Sequence, residues 1–173
     1  MDSYSDTGRA RLLVTYQTPV GGASQNLVGL RFQDVEIPQG VTITGASIDF
    51  TAAVPSTGFA DYTITGDDVD DSVTFSNTNR DIFDRTRTTA AVSWGNADDW
   101  VAAADVNSTP DLTDIVQEIT NRGGWCGGNS ISFIIQEATA GSSRLAKSFD
   151  DNASDSPTLR VTYDPLNIPG TAT

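Results

Sequence analysis

TPDLTDIVQEITNRGGWCGGN, residues 109–129, reads as an amphipathic helix inside a chain that otherwise alternates as strands and turns. Leu112, Ile115, Val116 and Ile119 fall at i, i+3, i+4 and i+7, one apolar stripe. Thr109 suits the N-cap, Pro110 the first helical position, and Asp111 and Asp114 the positive end of the helix dipole. Arg122 sits in the last turn, and Gly123-Gly124 supplies a left-handed stop. A helix of about 12 residues is marginal alone, so it must be held by packing. The stretch therefore predicts a helix that covers an open end of a β-sandwich, with Trp125 tucked beside it and Cys126 packed. A helix that binds a partner is the competing reading.

Outward from this segment, period-2 alternation dominates. Strands are predicted at 11–17, 27–37, 42–54, 61–66, 72–76, 89–95, 130–137, 144–150 and 158–164. In TITGASIDFTAAV (42–54), Ile43, Ala46, Ile48 and Phe50 lie largely on one side, and Gly45 marks a bulge or a close backbone approach. Pro38-Gln39-Gly40 marks a turn. Nine short strands separated by Gly, Asp, Asn and Ser turns predict an all-β fold. It is an antiparallel β-sandwich, a jelly roll, with one short amphipathic α-helix. Residues 1–164 read as a single domain and 165–173, with two prolines and no periodicity, as a C-terminal tail.

Charge narrows the function. Asp and Glu number 23 against 10 Lys and Arg, a net of −13, and Lys147 is the sole lysine. Such a field repels phosphate backbones and anionic lipid, so neither nucleic acid nor a membrane is expected as partner. With no histidine, Ser-His and Cys-His catalysis and imidazole metal sites are excluded. One cysteine allows no intrachain disulfide. No apolar stretch approaches the ~18 residues of a membrane span. The N-terminus MDSYSDTGRARLLVTY lacks the basic and apolar regions of a signal peptide, which predicts either an excised module or a chain used without secretion.

Oxygen-rich loops are the remaining candidates for chemistry. TGDDVDDS (65–72) gathers Asp67, Asp68, Asp70 and Asp71, and FDDNASDS (149–156) holds Asp150, Asp151, Asn152 and Asp155. Calcium takes six to eight oxygen ligands, which such loops can supply, although the EF-hand spacing is absent. The plainer reading is a solvated turn. A glycosidase would need two acids across a cleft, one with a raised pKa. Acids confined to turns do not favour that. Trp94, Trp100 and Trp125 raise a carbohydrate reading, since an exposed ring can stack on a sugar; the plainer reading is core aromatics. Trp100, between acids in a loop, and Trp125 are the candidates for carbohydrate or partner binding.

Four segments together resemble a known module: LVGLRFQDVEIPQGVTITGASIDF (27–50), TFSNTNRDIFDRTRTTAAVSW (74–94), TPDLTDIVQEITNRGGWCGGNSISFIIQ (109–136) and SRLAKSFD (143–150). They are similar to the DNRLRE-type jelly rolls of bacterial secreted and surface proteins. The resemblance implies a non-catalytic jelly roll serving adhesion, carbohydrate binding or stalk building. It transfers no ligand residue. A small acidic jelly roll without a leader also resembles phage virion proteins: capsid decoration, cement, tail or fibre components. That implies a virion location, contact with other virion proteins and homo-oligomerisation. The alternative is an extracellular module that binds cell-surface polysaccharide, with calcium as the one cofactor either reading admits. A hydrolase using Asp/Glu pairs comes third.

Overall fold

A computed structural model describes residues 4–13 as backbone, and residues 26–76, 80–149 and 153–164 with their side chains. The alternating stretches become eight strands: β1 Tyr4–Leu13, β2 Leu27–Val35, β3 Thr42–Thr51, β4 Tyr62–Asp67, β5 Arg87–Trp94, β6 Val106–Ser108, β7 Asn129–Glu137 and β8 Thr158–Asp164. Two helices join them, α1 Asp81–Asp84 and α2 Thr113–Thr120.

The pairing is nested. β1 pairs with β8, β2 with β7, β3 with β6 and β4 with β5, every ladder antiparallel. A chain paired first-to-last in this way is one long hairpin. The ladders β1–β2, β3–β8 and β4–β7 then roll it up. Two antiparallel sheets result, β5-β4-β7-β2 and β8-β3-β6. β1 passes between them, Tyr4–Arg9 on β8 and Ala10–Leu13 on β2. This strand order is that of a jelly-roll sandwich.

The bulge expected at Gly45 is present, as a register shift between Ile43 and Gly45 opposite β8. It lets Ile43 and then Ala46, Ile48 and Phe50 all face the core, which strict alternation forbids. Beside them on β8 are Leu159 and Val161, and across the core are Leu30, Phe32, Ile64, Ile131 and Phe133. β7 is buried along nearly its whole length, the pattern of a strand covered on both faces. Its outer face, with that of β2, lies under the β4–β5 connection. There Leu27, Phe75, Ile82 and Ile134 form a second small core. Gly29 makes room for it: a Cβ at this position would stand 2.5 Å from the Phe75 ring.

Three expectations change. Residues 72–76 form no ladder, because they cross outside β2 and β7 as part of that cover. Of 144–150, the described residues 144–149 make only an isolated bridge, Ala52 to Ala146, while β6 was not foreseen. The first strand begins earlier than expected, at Tyr4, and residues 14–17 lie outside the described residues, as does the tail 165–173.

Helix α2 packs against β3 of one sheet and β4 and β5 of the other, all four residues of its stripe buried. Gly66 allows the approach, since a Cβ there would meet Ile119 at 2.8 Å and Ile115 at 2.9 Å. The helix and its lead-in also finish the sheet edges. Both Glu118 carboxylate oxygens accept β5 N–H groups, from Thr89 and Ala90 at 2.7 Å each. On β3, Ile43 donates to Gln117 Oε1, Ala46 to Asp111 Oδ1 and Ile48 to Thr109 Oγ1, at 2.8, 3.2 and 3.0 Å. Thr109 therefore pairs with a strand instead of capping the helix, whose N-cap is Leu112. At the other terminus the C-cap is Asn121, and the left-handed glycines are Gly127 and Gly128, not Gly123 and Gly124.

Candidate functional site: the two ends of the sandwich

Connections 36–41, 68–86 and 109–128 gather at one end of the sandwich, and 52–61, 95–105 and 138–157 at the other. The acid loop of 65–72 belongs to the first, and its carboxylates are taken by the protein's own cations. Arg122, just past α2, holds Asp68 at 2.5 Å and Asp70 at 2.7 Å. The bonds to Asp70 first, and to Asp68, push the Arg122 guanidinium above its ordinary pKa. Asp67 is buried and accepts from Arg85 Nη1 and from Ser72 Oγ, each at 2.7 Å. Ser72 continues to Ser132, and Arg31 donates to the Ser72 carbonyl and to Ser130 Oγ. Asp71 accepts the Ser130 N–H at 2.8 Å.

The structure thus brings Asp68 and Asp70 together on one guanidinium and sends Asp67 and Asp71 to separate partners. Among the described residues, no three or more acidic or cysteine side chains are grouped to hold a metal ion. Asp150 and Asp151 lie outside the described residues.

Trp125 plugs this end, 1% exposed, its indole N–H donating to the Ile37 carbonyl at 2.7 Å. Gly124 beside it is required by proximity, because a Cβ would stand 2.1 Å from Asp70 Oδ2. Cys126, expected in the packing, is exposed instead. With Trp125 turned into the core, the next side chain faces out, and the thiol lies 3.1 Å from Asn129 Oδ1.

Trp100 plugs the opposite end, 2% exposed, against Phe50 with ring centroids 6.1 Å apart. Phe50 also stacks on Trp94. The expectation of Trp100 and Trp125 as exposed platforms is therefore corrected: each ring fills an end of the core, and neither shows a face to a sugar.

The loops at this end are gripped by Arg144. Its buried guanidinium donates to the carbonyls of Gly58, Ala97 and Asp98 at 2.8, 2.7 and 3.0 Å, with Asp99 3.6 Å away. Outside that grip is an open cleft of about 410 Å³ lined by Gly58, Phe59, Asn96, Ala97, Asp98 and Asp99. Phe59 is 59% exposed. Polar accounting is incomplete here: Trp100 Nε1 and Glu137 Oε1 are buried without a hydrogen-bond partner. Burial pushes the nearby Tyr62 phenol up; Arg144 opposes this and Glu137 adds to it. Apolar side chains crowd the surface. Val54, Phe59, Val101, Val106, Leu145 and Phe149 are six of the eight large hydrophobic residues exposed among those described.

Sequence reasoning passed over the arginines that organise both ends. A signal was available: ten basic residues less one lysine leaves nine arginines. Arg is the cation suited to buried, multiply bonded pairing, whereas Lys prefers a solvated surface.

The fold and these ends define an eight-stranded jelly roll, closed by arginine clasps at one end and presenting apolar loops at the other. In comparisons with known proteins, no family model matches the chain and no curated relative matches it.

Proposed function

We propose that the chain is a non-enzymatic structural protein of a bacteriophage particle, a decoration, cement or tail component acting by protein–protein contact. The observation that carries this reading is the one-sided distribution of exposed apolar side chains. Six of eight lie on the 52–61, 95–105 and 138–149 loops or the adjoining start of β6. Clustered exposed hydrophobic residues mark contact surfaces, whereas scattered ones mark nothing. The partner is a protein of the particle lattice. A net charge of −13 favours a partner face of opposite sign over a second copy approaching through the same acidic rim. Phe59→Ser/Val101→Ser tests the reading. Wild type should co-sediment with particles lacking the protein and the double variant should not; equal binding by both would defeat it.

One observation favours a second reading, a glycan-binding module. The Phe59 ring stands in an open cleft beside Asn96, Asp98 and Asp99, an apolar face with hydrogen-bonding groups at its edge. A polysaccharide array with wild type and Phe59→Ala separates the two: sugar binding lost in the variant supports the glycan reading.

A further inference from the structure

Beneath the β4–β5 connection two arginines carry buried donors with nothing to bond. Arg85 Nη1 holds Asp67 at 2.7 Å and Arg85 Nε holds Asp81 at 3.3 Å, but Arg85 Nη2 is buried and unpartnered. Arg87 Nη2 donates to the Ile82 carbonyl at 3.0 Å, while Arg87 Nη1 is likewise buried and unpartnered. Two features set the two side chains beside each other. The chain is extended at Arg85 and enters β5 at Arg87, so side chains two residues apart leave the same face. Both also surround Asp67: Arg85 bonds it, and Arg87 is its register partner across the β4–β5 ladder.

The charge is uneven as well. Arg85 has two carboxylates, whereas among the described residues Arg87 has none within ion-pair distance. Burial pushes the Arg87 guanidinium below its ordinary pKa; Asp67 opposes this, and Arg85 adds a smaller push in the same direction as burial. Leaving a buried charged donor unsatisfied costs more than leaving a neutral one, and a buried cation needs a counter-charge. We propose that Arg85 Nη2 and Arg87 Nη1 together bind a small monovalent anion of the halide class. A water molecule would satisfy the donors without the charge. With other nitrogens tied to Asp67, Asp81 and the Ile82 carbonyl, each guanidinium offers one buried free nitrogen, two point contacts of the kind a monatomic anion takes.

The binding is structural. It pins the cover to β4 and β5 and works equally under either reading of the protein's partner.

Bromide is the probe. In crystals of the wild-type chain soaked in sodium bromide, an anomalous peak is expected within about 3.5 Å of both nitrogens, a charge-assisted contact. In solution, bromide or chloride at constant ionic strength should raise Tm relative to gluconate by about 2–4 °C, as a ligand selective for the folded state does. Arg87→Gln should abolish that difference. A site holding only water, with no bromide peak, overturns the proposal, as does a Tm indifferent to the anion. The wild-type crystal answers even if the variant fails to fold.

Discussion

The two ends are closed by the same device, a tryptophan set into the core, yet they differ in what surrounds that tryptophan. At the end of the acid loop, Trp125 has its hydrogen bond, and the four aspartates of 67–71 have guanidinium, hydroxyl or N–H partners. At the other end, the Trp100 N–H and one Glu137 oxygen are buried without partners, and apolar side chains stand in the open. Among the described residues, each end leaves two buried atoms without partners, Arg85 Nη2 and Arg87 Nη1 at the first and Trp100 Nε1 and Glu137 Oε1 at the second. What separates them is the web of ion pairs at one and the exposed apolar side chains at the other. The exposed apolar side chains are the ones on which the proposed partner contact rests.

Substitution can break this comparison. The largest loss is expected from Arg85→Met, which strands Asp67 in a buried site with only Ser72 to donate. A broken buried pair costs about 3–5 kcal/mol, and in a chain of this size Tm should fall by about 10 °C or more in calorimetry. A shift of a degree or two would mean the clasp contributes little. Next comes a matched pair, Trp125→Phe and Trp100→Phe. Both remove similar volume, but only the first orphans a buried carbonyl, that of Ile37. Urea unfolding should show Trp125→Phe less stable than Trp100→Phe by about 1–3 kcal/mol. Equal losses would erase the distinction between the ends.

A smaller effect is confined to acid. The Thr113 hydroxyl first, then the N–H groups of Ala46, Thr113 and Leu112, hold the Asp111 carboxyl below its ordinary pKa, although partial burial opposes them. A carboxyl lowered in the folded state stabilises above its unfolded pKa, about 3.9, and loses that contribution as pH falls through the folded value. Asp111→Asn should therefore flatten the decline of Tm below about pH 4; an unchanged acid limb would refute it. Smallest of all, Phe59→Ser and Val101→Ser should each change stability by under about 0.5 kcal/mol, since neither side chain is buried. A cooperative loss of structure in either would place these residues in the fold and not at a contact.

Much of the fold was legible because it rests on local pattern. The stripe Leu112, Ile115, Val116 and Ile119 was readable at helical spacing, and the Gly45 bulge from a change of parity along one strand. The N-cap was not, because Thr109 answers to β3, a partner more than sixty residues away that outcompetes the helix end. The acid loop misled for a similar reason. Adjacent aspartates read as one oxygen cluster, but their partners, Arg85, Arg122 and Ser130, come from three other elements. The exposure of Trp100 was misjudged because acidic neighbours in sequence say nothing of Phe50 beneath it. Nor could any local pattern show the apolar end, since Val54, Val101 and Leu145 lie on three different connections that cross between the sheets.

The nested pairing has a kinetic consequence. Tyr62 pairs with Trp94, whereas Tyr4 pairs with Tyr163, so the ladders span ever longer stretches of chain toward the termini. Closing the outermost ladder first would mean closing a loop of nearly the whole chain, and loop-closure entropy grows with length. Once β4 and β5 have joined, each later closure bridges only what the previous one left. Among the nested ladders this favours closure from the middle outward, while the β1–β2 ladder, closed at Leu13 and Gly29, is as local as β4–β5. Long-range pairing slows folding, and the β1–β8 ladder, which spans the longest stretch of chain, is expected to close last of the nested set.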